Sequence, residues 1–488
     1  MEDTVELCVG EDVLHRLYSA SNSSSLQESL ELLIEISRTS HGRAELALKQ
    51  ILPVVILLIQ SYSGSQYLAQ SMRLMRNLCA GEIANQNSFI QHNGVGILMN
   101  VLMAATRPEP DNGIIRIGLQ TLANVSLAGN EHQLPIWHHC FPQEFLAFAE
   151  VRSREVCDPL CMVIYVCCDG NSELLSELCS DSGLPIVAEI VRTSASVGFG
   201  EDWFKLLLSR ICLEGPYFPL LFSKLYHVDA TMKDKEVMVG NDNFSTEQAF
   251  LLKIVSEILD ERIRDIVVGN DFALCVLAIL KMSLEVVSCR IRVKSGIPTG
   301  STDIDVLGYS LAILRDVCAL EGLRASEEEP VDVVDFLVSS GLIEMLLGLL
   351  RSLEPPTIIR KAIKQSENQE GTNSSSSLKP CPYRGFRRDI VAVIGNCTYG
   401  RKHVQDEIRQ KNGILLLLQQ CVADEENPFL RERGIWAVRN LLEGNAENQQ
   451  SVAELELQGS VEVPELANIG LKVEVNPETQ RAKLVNIS

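Results

Sequence analysis

Four asparagines stand at nearly regular intervals, each near the end of an apolar segment with helical periodicity: Asn77, Asn124, Asn396 and Asn440. The first two are 47 residues apart and the last two are 44 apart. A primary amide donates and accepts hydrogen bonds at once, so a row of amides suits the binding of an extended peptide backbone. The alternative is that each asparagine ties its helix end to the next turn. The sequence leaves both interpretations open.

Trp436 lies four residues before Asn440, and the two therefore share one helix face. This pair resembles the Trp/Asn ladder of the importin-α family, in which indoles flank the aliphatic stems of lysines. The residues four positions before the other three asparagines are Arg73, Gln120 and Ala392. A single Trp/Asn pair cannot bind a nuclear-import signal of several residues. We therefore interpret Trp436 as a core residue.

Basic side chains gather near the start of the last hundred residues, at Arg384, Arg387, Arg388, Arg401 and Lys402. Such a patch is suited to a phosphate or an acidic peptide. The alternative is a solvated charged surface beside a loop, which is the commoner case. Together, the candidate residues of a partner-binding groove are Asn77, Asn124, Arg387, Arg388, Asn396, Trp436, Arg439 and Asn440.

Other chemistry finds little support in the residue pattern. The run from Gly395 to Lys402 nearly spells a phosphate-binding loop, but Arg401 separates the second glycine from the lysine and no Ser or Thr follows. His138, His139 and Cys140 precede several cysteines, but no C-x-x-C pair occurs, so we expect packing rather than zinc binding. No catalytic triad or cysteine–histidine signature is visible. We therefore expect no enzyme, no cofactor and no metal site.

The asparagine period indicates the elements that position these residues. A period in the low to middle forties is typical of armadillo and HEAT arrays, whose units bury their apolar faces by stacking on neighbours. A second offset supports this period, since Gly94 and Gly413 each lie 17 residues after an asparagine of the series. We expect these glycines to break two short helices in the left-handed conformation. The predicted fold is an all-α, armadillo/HEAT-like right-handed α-solenoid with a short C-terminal β-hairpin.

Composition shifts suggest four regions. Residues 1–25 are predicted to be a loose N-terminal cap, and residues 26–354 to be armadillo-like helical repeats. Residues 355–383 are rich in Ser and Asn and contain prolines, which predicts a disordered insertion. Residues 384–488 then form a C-terminal domain of two repeats and a terminal hairpin, because apolar and polar residues alternate around an Asn-Pro pair.

The charge and the cysteines restrict the function class. With 64 acidic and 43 basic residues, the net charge of −21 argues against nucleic-acid binding and against anionic membrane surfaces. The N-terminus shows no signal peptide, so the 15 cysteines are expected to be buried, reduced thiols of a cytosolic protein. The longest apolar run, Ile51–Ile59, is too short for a membrane span.

Two blocks of the chain carry a family resemblance. Residues 386–487 include IGNCTY and NQQSVAEL, and residues 75–149 include MRNLC, NQNSFI and GLQTLANV. On these blocks the chain resembles the ataxin-10 family. The resemblance implies an armadillo-like, mostly cytoplasmic scaffold linked to cytokinesis and mitotic kinases, a protein O-GlcNAc transferase, a G-protein β subunit and centrosomal or ciliary base complexes.

The sequence thus predicts a non-enzymatic scaffold that binds partner proteins through an armadillo groove, with self-association through stacking of open array ends. The alternative is a regulatory or adaptor subunit that recruits or activates a glycosyltransferase or kinase. An enzyme would instead show a deep pocket with a perturbed acid or nucleophile.

Overall fold

The computed structural model describes residues 24–61, 67–226, 243–262, 265–287, 293–324, 332–360, 378–455, 471–475 and 482–486. Within them the regular structure is helical, apart from one antiparallel strand pair and one isolated bridge. This confirms the predicted all-α solenoid class. The chain divides into two units, residues 1–279 with 301–313 and residues 280–300 with 314–488.

The first unit contains a succession of short to medium helices. They are α1 (Ser24–Ile36), α2 (Ser40–Leu48), α3 (Ile51–Ser61), α4 (Leu68–Leu78), α5 (Ile83–Gln91), α6 (Gly94–Ala105), α7 (Asn112–Ser126), α8 (Asn130–Cys140), α9 (Gln143–Ala149), α10 (Arg154–Cys168), α11 (Ser172–Leu178), α12 (Leu184–Val197), α13 (Asp202–Cys212), α14 (Phe218–Lys224) and α15 (Thr246–Arg262). Two helices contribute residues to both units, α16 (Asn270–Val286) and α17 (Thr302–Arg324).

Three consecutive helices make one repeat. Repeats of the first unit include α5–α6–α7, α8–α9–α10 and α11–α12–α13. Their third helices α7, α10 and α13 pack in that order, after α4. The third helix α10 buries several of its faces, as at Leu160, Val163 and Ile164, because neighbouring helices contact it from more than one side. Burial on this scale is expected of repeats that stack in series.

The second unit repeats the same plan. Its helices are α18 (Val333–Ser339), α19 (Leu342–Ser352), α20 (Phe386–Thr398), α21 (Lys402–Gln410), α22 (Ile414–Leu418), α23 (Leu430–Leu442) and α24 (Ala446–Ala453). The first helix α21 buries only Val404, Gln405 and Ile408, a narrow stripe of one helix face. The third helices α20 and α23 pack side by side.

At the breaks between first and second helices, the expectation that glycine takes the left-handed conformation is wrong for Gly94 and Gly413. Asn93 and Asn412 take the left-handed conformation, with φ of 53° and 52°, whereas the glycines that follow them do not. A Cβ on Gly94 would lie 2.5 Å from the ring of Phe89, and one on Gly413 would lie 2.7 Å from Ile408. Glycine is thus required for close approach between helices, and asparagine supplies the unusual backbone angle.

The predicted insertion, residues 355–383, lies mostly in 361–377, outside the described residues. Its C-terminal end is folded. Lys379 forms a parallel bridge with Leu353, and the buried Tyr383 donates its hydroxyl hydrogen to Asp389 Oδ2 at 2.9 Å. The folded part of the chain therefore includes residues 378–383, before the predicted boundary at 384. The predicted N-terminal cap lies almost wholly outside the described residues.

Two strands follow the last helix, β1 (Leu471–Val475) and β2 (Ala482–Asn486). They pair antiparallel, with Leu471 opposite Asn486 and Val475 opposite Ala482. This pair stands where alternating residues predicted a terminal hairpin.

Over the described residues, no single helix has the length and apolar character needed to cross a membrane. Two bent helix pairs meet those requirements only when taken together, α2 with α3 and α18 with α19.

Candidate functional site

The asparagines of the predicted groove bind neighbouring repeats. Asn440 is 5% exposed, and its Nδ2 donates to the backbone carbonyl of Gly395 on α20 at 2.9 Å. Gly395 immediately precedes Asn396, the asparagine of the preceding third helix. The amide thus joins two third helices at equivalent positions.

Two other asparagines repeat this contact. Asn124 Nδ2 donates to the carbonyl of Arg76 at 3.1 Å, and Arg76 immediately precedes Asn77. Asn396 Nδ2 donates to the carbonyl of Arg315 at 2.9 Å, and Asp316 occupies the next position. Asn77 differs, since its amide donates to the hydroxyl of Ser37 at 3.1 Å. These contacts support the structural interpretation, although the tie runs to the preceding repeat rather than to the next turn. Peptide binding by the same amides stays a prediction.

A second set of amides was missed by the sequence interpretation. A glutamine stands nine residues after each asparagine of the series, at Gln86, Gln133, Gln405 and Gln449. Each side chain donates to the backbone carbonyl seven residues earlier. Those carbonyls lie at or just beyond the C-terminal ends of third helices, where the helix itself provides no donor. The constant Asn-x8-Gln spacing is the sequence pattern from which these glutamines could have been predicted.

Two of these glutamines also reach the third helix of their own repeat. Gln86 Nε2 donates to the carbonyl of Asn124 at 2.8 Å, and Gln405 Nε2 donates to the carbonyl of Asn440 at 2.8 Å. Asn124 and Asn440 therefore each donate to the third helix of the preceding repeat through the side chain, and each accepts from the first helix of its own repeat through the backbone carbonyl. We call this arrangement the Asn–Gln lock, formed by Gln86 with Asn124 and by Gln405 with Asn440. It holds each pair of adjacent repeats at a fixed offset.

The prediction that the basic residues form one exposed patch is wrong, because Arg387 and Arg401 are buried. Arg387 is 2% exposed, and its guanidinium donates to Gln420 Oε1 at 3.1 Å and to the carbonyl of Glu354. Burial lowers its pKa. Arg401 is buried and paired with Asp332. A guanidinium with internal acceptors is not available to a partner, so Arg387 is removed from the candidate groove.

Arg388 is partly exposed, and its guanidinium bonds the buried carboxylate of Asp389. That carboxylate also accepts from Tyr383, whose pKa is raised by burial and then by Asp389. Because Arg388 neutralises a buried acid, most of its charge is already matched by a neighbour. Of the five basic residues predicted, Arg384 and Lys402 remain as exposed cations.

Trp436 is 60% exposed, so its interpretation as a core residue is wrong. The guanidinium carbon of Arg439 lies 5.9 Å from the centre of its ring, within cation–π range, and Ile435 beside it is 52% exposed. The positions 44 residues earlier, Val391 and Ala392, are buried. Ile435, Trp436 and Arg439 thus form an exposed surface, the α23 face, at a place where the preceding repeat is packed.

Most of the cysteines in the described part of the chain are buried, while Cys275, Cys381 and Cys421 are partly exposed. Cys140, Cys161 and Cys168 are all inaccessible to solvent, and burial raises the pKa of each. Burial also raises the pKa of Cys167 to about 12, so this thiol stays protonated near neutral pH. Among the described residues, no group of three or more His, Cys, Asp or Glu side chains is arranged to hold a metal ion.

Residues 386–485 match the family described as the spinocerebellar ataxia type 10 protein domain. The chain is 25% identical to ataxin-10 of Bos taurus over 425 residues, which cover 84% of this chain and 81% of the bovine protein. It is 25% identical to ataxin-10 of Homo sapiens over 433 residues, covering 85% and 82%. The ataxin-10 homolog of Dictyostelium discoideum is 36% identical over 104 residues, which cover 21% of this chain and 17% of that protein.

Similar solved structures include an engineered protein with 13% sequence identity and a TM-score of 0.34, covering 89% of this chain and 99% of its own. A designed armadillo repeat protein in complex with the peptide (KR)4 has 15% identity and a TM-score of 0.30, covering 50% and 98%. The sequence matches extend over most of the chain and include its C-terminal domain, and in them the chain is similar to ataxin-10 proteins.

Proposed function

We propose that this chain is a protein-binding scaffold of the cytoplasm, with no turnover of its own, and that the α23 face is a partner surface. The observation that carries the proposal is the exposure of Ile435, Trp436 and Arg439, whose equivalents in the preceding repeat are buried. An aromatic, an aliphatic and a guanidinium group on one rigid helix make an energetically favourable contact surface.

The surrounding structure supports this use. Asn440, one residue beyond Arg439, is held by the Asn–Gln lock, so the helix is fixed before any partner arrives. Arg439 lies over the indole ring and limits its freedom. A surface that is ordered in advance loses little conformational entropy on binding, which increases affinity.

The family resemblance names candidate partners: a protein O-GlcNAc transferase, a G-protein β subunit and mitotic kinases. A role in cell division and cytokinesis follows from the same resemblance. The net charge of −21 disfavours nucleic acid as a ligand, because binding to phosphate backbones depends on cationic surfaces.

The test compares affinity purification of the full chain with that of Trp436→Ala/Arg439→Ala, quantified by mass spectrometry. We expect the variant to lose at least one of the candidate partners while its thermal midpoint is unchanged, because both side chains are exposed. Leu220→Ala is the matched control, since Leu220 is a 53% exposed apolar residue of the first unit. Recovery of the full partner set by the double variant would overturn the α23 face as a partner surface.

A further inference from the structure

Three arginines meet on neighbouring third helices of the first unit. Arg73 and Arg76 are three residues apart on α4 and share one helix face. Arg116 lies four residues before Gln120 on α7, and Gln120 Oε1 accepts from Arg76 Nη1 at 3.1 Å. The contact between Arg76 and Gln120 joins the two faces, so the three guanidinium groups belong to one patch. We call it the α4–α7 arginine cluster.

The central arginine is held by neutral groups. Arg76 donates from Nε and Nη2 to Asn77 Oδ1 at 3.3 and 2.9 Å, in addition to its bond with Gln120. Within the described part of the chain, no carboxylate lies within 4 Å of a nitrogen of Arg73 or Arg76. Arg116 has one carboxylate at that distance, Glu155 at 3.9 Å, and both side chains are exposed. An exposed ion pair of this length contributes little.

The cluster is unfavourable when nothing is bound. Arg76 is half-buried, and burial, together with the charges of Arg116 and Arg73, lowers its pKa. The chain has 64 acidic residues, more than enough to neutralise its 43 basic ones. Several other arginines are paired with acids, as Arg401 is with Asp332 and Arg409 with Asp406. An anion bound at the cluster would relieve the repulsion between its members.

We propose that Arg73, Arg76 and Arg116 bind a phosphoserine or phosphothreonine of an extended partner peptide. This rests on the proposed function as a protein-binding scaffold. A phosphate concentrates close to two negative charges at one point and accepts paired hydrogen bonds from guanidinium groups, whereas a carboxylate carries a single charge. The cluster lies on exposed helix surfaces, where a peptide makes further contacts on either side of the phosphate. A nucleic acid is disfavoured by the net charge of −21.

The test uses the full chain and three fluorescein-labelled degenerate peptide libraries that differ at one fixed central position: phosphoserine, serine or glutamate. Fluorescence anisotropy should show the phosphoserine library binding at least about tenfold more tightly than the other two. Arg73→Gln/Arg116→Gln should remove that difference, because both side chains are needed to neutralise the phosphate. Arg431→Gln/Arg433→Gln is the matched control, since it removes two exposed arginines of α23 and should leave binding unchanged.

A stability readout separates lost binding from lost folding. Arg73 and Arg116 are exposed and their removal relieves repulsion on Arg76, so the thermal midpoint of Arg73→Gln/Arg116→Gln should equal or exceed that of the wild type. Equal affinity for the phosphoserine and serine libraries would overturn the proposal. So would a glutamate library that binds as tightly as phosphoserine, since that indicates an acidic peptide. Undiminished phosphopeptide binding by the double variant would place the site elsewhere.

These results are independent of the scaffold test. If Trp436→Ala/Arg439→Ala loses partners while no phosphoserine library binds, the scaffold function stands and the arginine site is refuted. If the phosphoserine library binds through Arg73 and Arg116 while the α23 variant recovers every partner, the arginine site stands and the α23 face is refuted.

Discussion

The side-chain amide of Gln405 donates to the backbone carbonyl of Asn440 at 2.8 Å, across 35 residues of chain. The same amide also donates to the carbonyl of Thr398 at 3.3 Å. One buried side chain therefore closes the end of its own preceding helix and fixes the next third helix. Gln86 and Asn124 make the equivalent contact at 2.8 Å in the first unit. Each unit thus uses the same device to set the offset between adjacent repeats.

Replacement of Gln405 by alanine should lower the free energy of unfolding by about 1–3 kcal/mol, because buried carbonyls lose their donor. Chemical denaturation followed by circular dichroism measures the change. Gln449→Ala is the matched control, since Gln449 occupies the same position in the repeat and donates at 2.8 Å, but is exposed. The control should change stability by less than about 0.5 kcal/mol. Equal losses in the two variants would show that the contact with the carbonyl of Asn440 contributes nothing.

Arg387 gives a second prediction. Its guanidinium is buried and bonds Gln420 and the carbonyl of Glu354, so Arg387→Ala should lower the free energy of unfolding by about 2–3 kcal/mol. Arg384→Ala removes an exposed arginine from the same short segment and should be nearly neutral. Thermal denaturation of both variants provides the measurement. A stable Arg387→Ala protein with altered partner binding would restore the original interpretation of Arg387 as a surface cation.

The repeat plan was predictable because helix periodicity and the asparagine spacing are local properties of the chain. Positions 44 residues apart do occupy equivalent places on α20 and α23. The Asn–Gln lock was harder to predict, because the partners of the glutamines are backbone atoms, which carry no sequence signature. Only the nine-residue offset from each asparagine pointed to it.

The candidate site was predicted less well than the fold, for two physical reasons. Trp436 was assigned to the core because large aromatics are usually buried, but its place in α23 is one that no other described helix covers. Arg387 was assigned to the surface because arginine is usually exposed, but Gln420 and a backbone carbonyl supply acceptors inside the fold. In both cases burial depends on neighbours that are remote in the sequence.

Two helical glycines should respond to alanine in opposite directions. At Gly434 on α23, an added Cβ would lie 2.6 Å from the carbonyl oxygen of Gln420, a backbone atom that cannot move aside cheaply. Gly434→Ala should therefore lower the free energy of unfolding by about 1–3 kcal/mol. At the exposed Gly348 on α19 nothing lies within 4 Å, so Gly348→Ala should raise it by roughly 0.5–1 kcal/mol through helix propensity. Chemical denaturation of both variants checks the signs, and a stabilised Gly434→Ala would contradict the close approach.

Asp158 on α10 gives a pH-dependent prediction. Its Oδ1 is buried without a hydrogen-bond partner among the described residues. Burial, followed by the charges of Glu201 and Asp202, raises its pKa in the folded chain, while Arg154 opposes the shift. A carboxyl group whose folded pKa is raised contributes its full stability below the unfolded pKa of about 3.9, and that contribution is lost as pH rises through the folded pKa. The ionised group is therefore unfavourable at neutral pH.

Asp158→Asn should raise the thermal midpoint at pH 7, because the amide carries no charge. The gain should shrink as the pH falls toward about 4, where the wild-type carboxyl becomes protonated. Thermal denaturation of both proteins across this range measures the difference. Asp181→Asn, at an exposed position, serves as the control and should show no comparable pH-dependent gain. A lower midpoint for Asp158→Asn at pH 7, or a gain that persists at pH 4, would show that burial and the two neighbouring acids do not govern this carboxyl group.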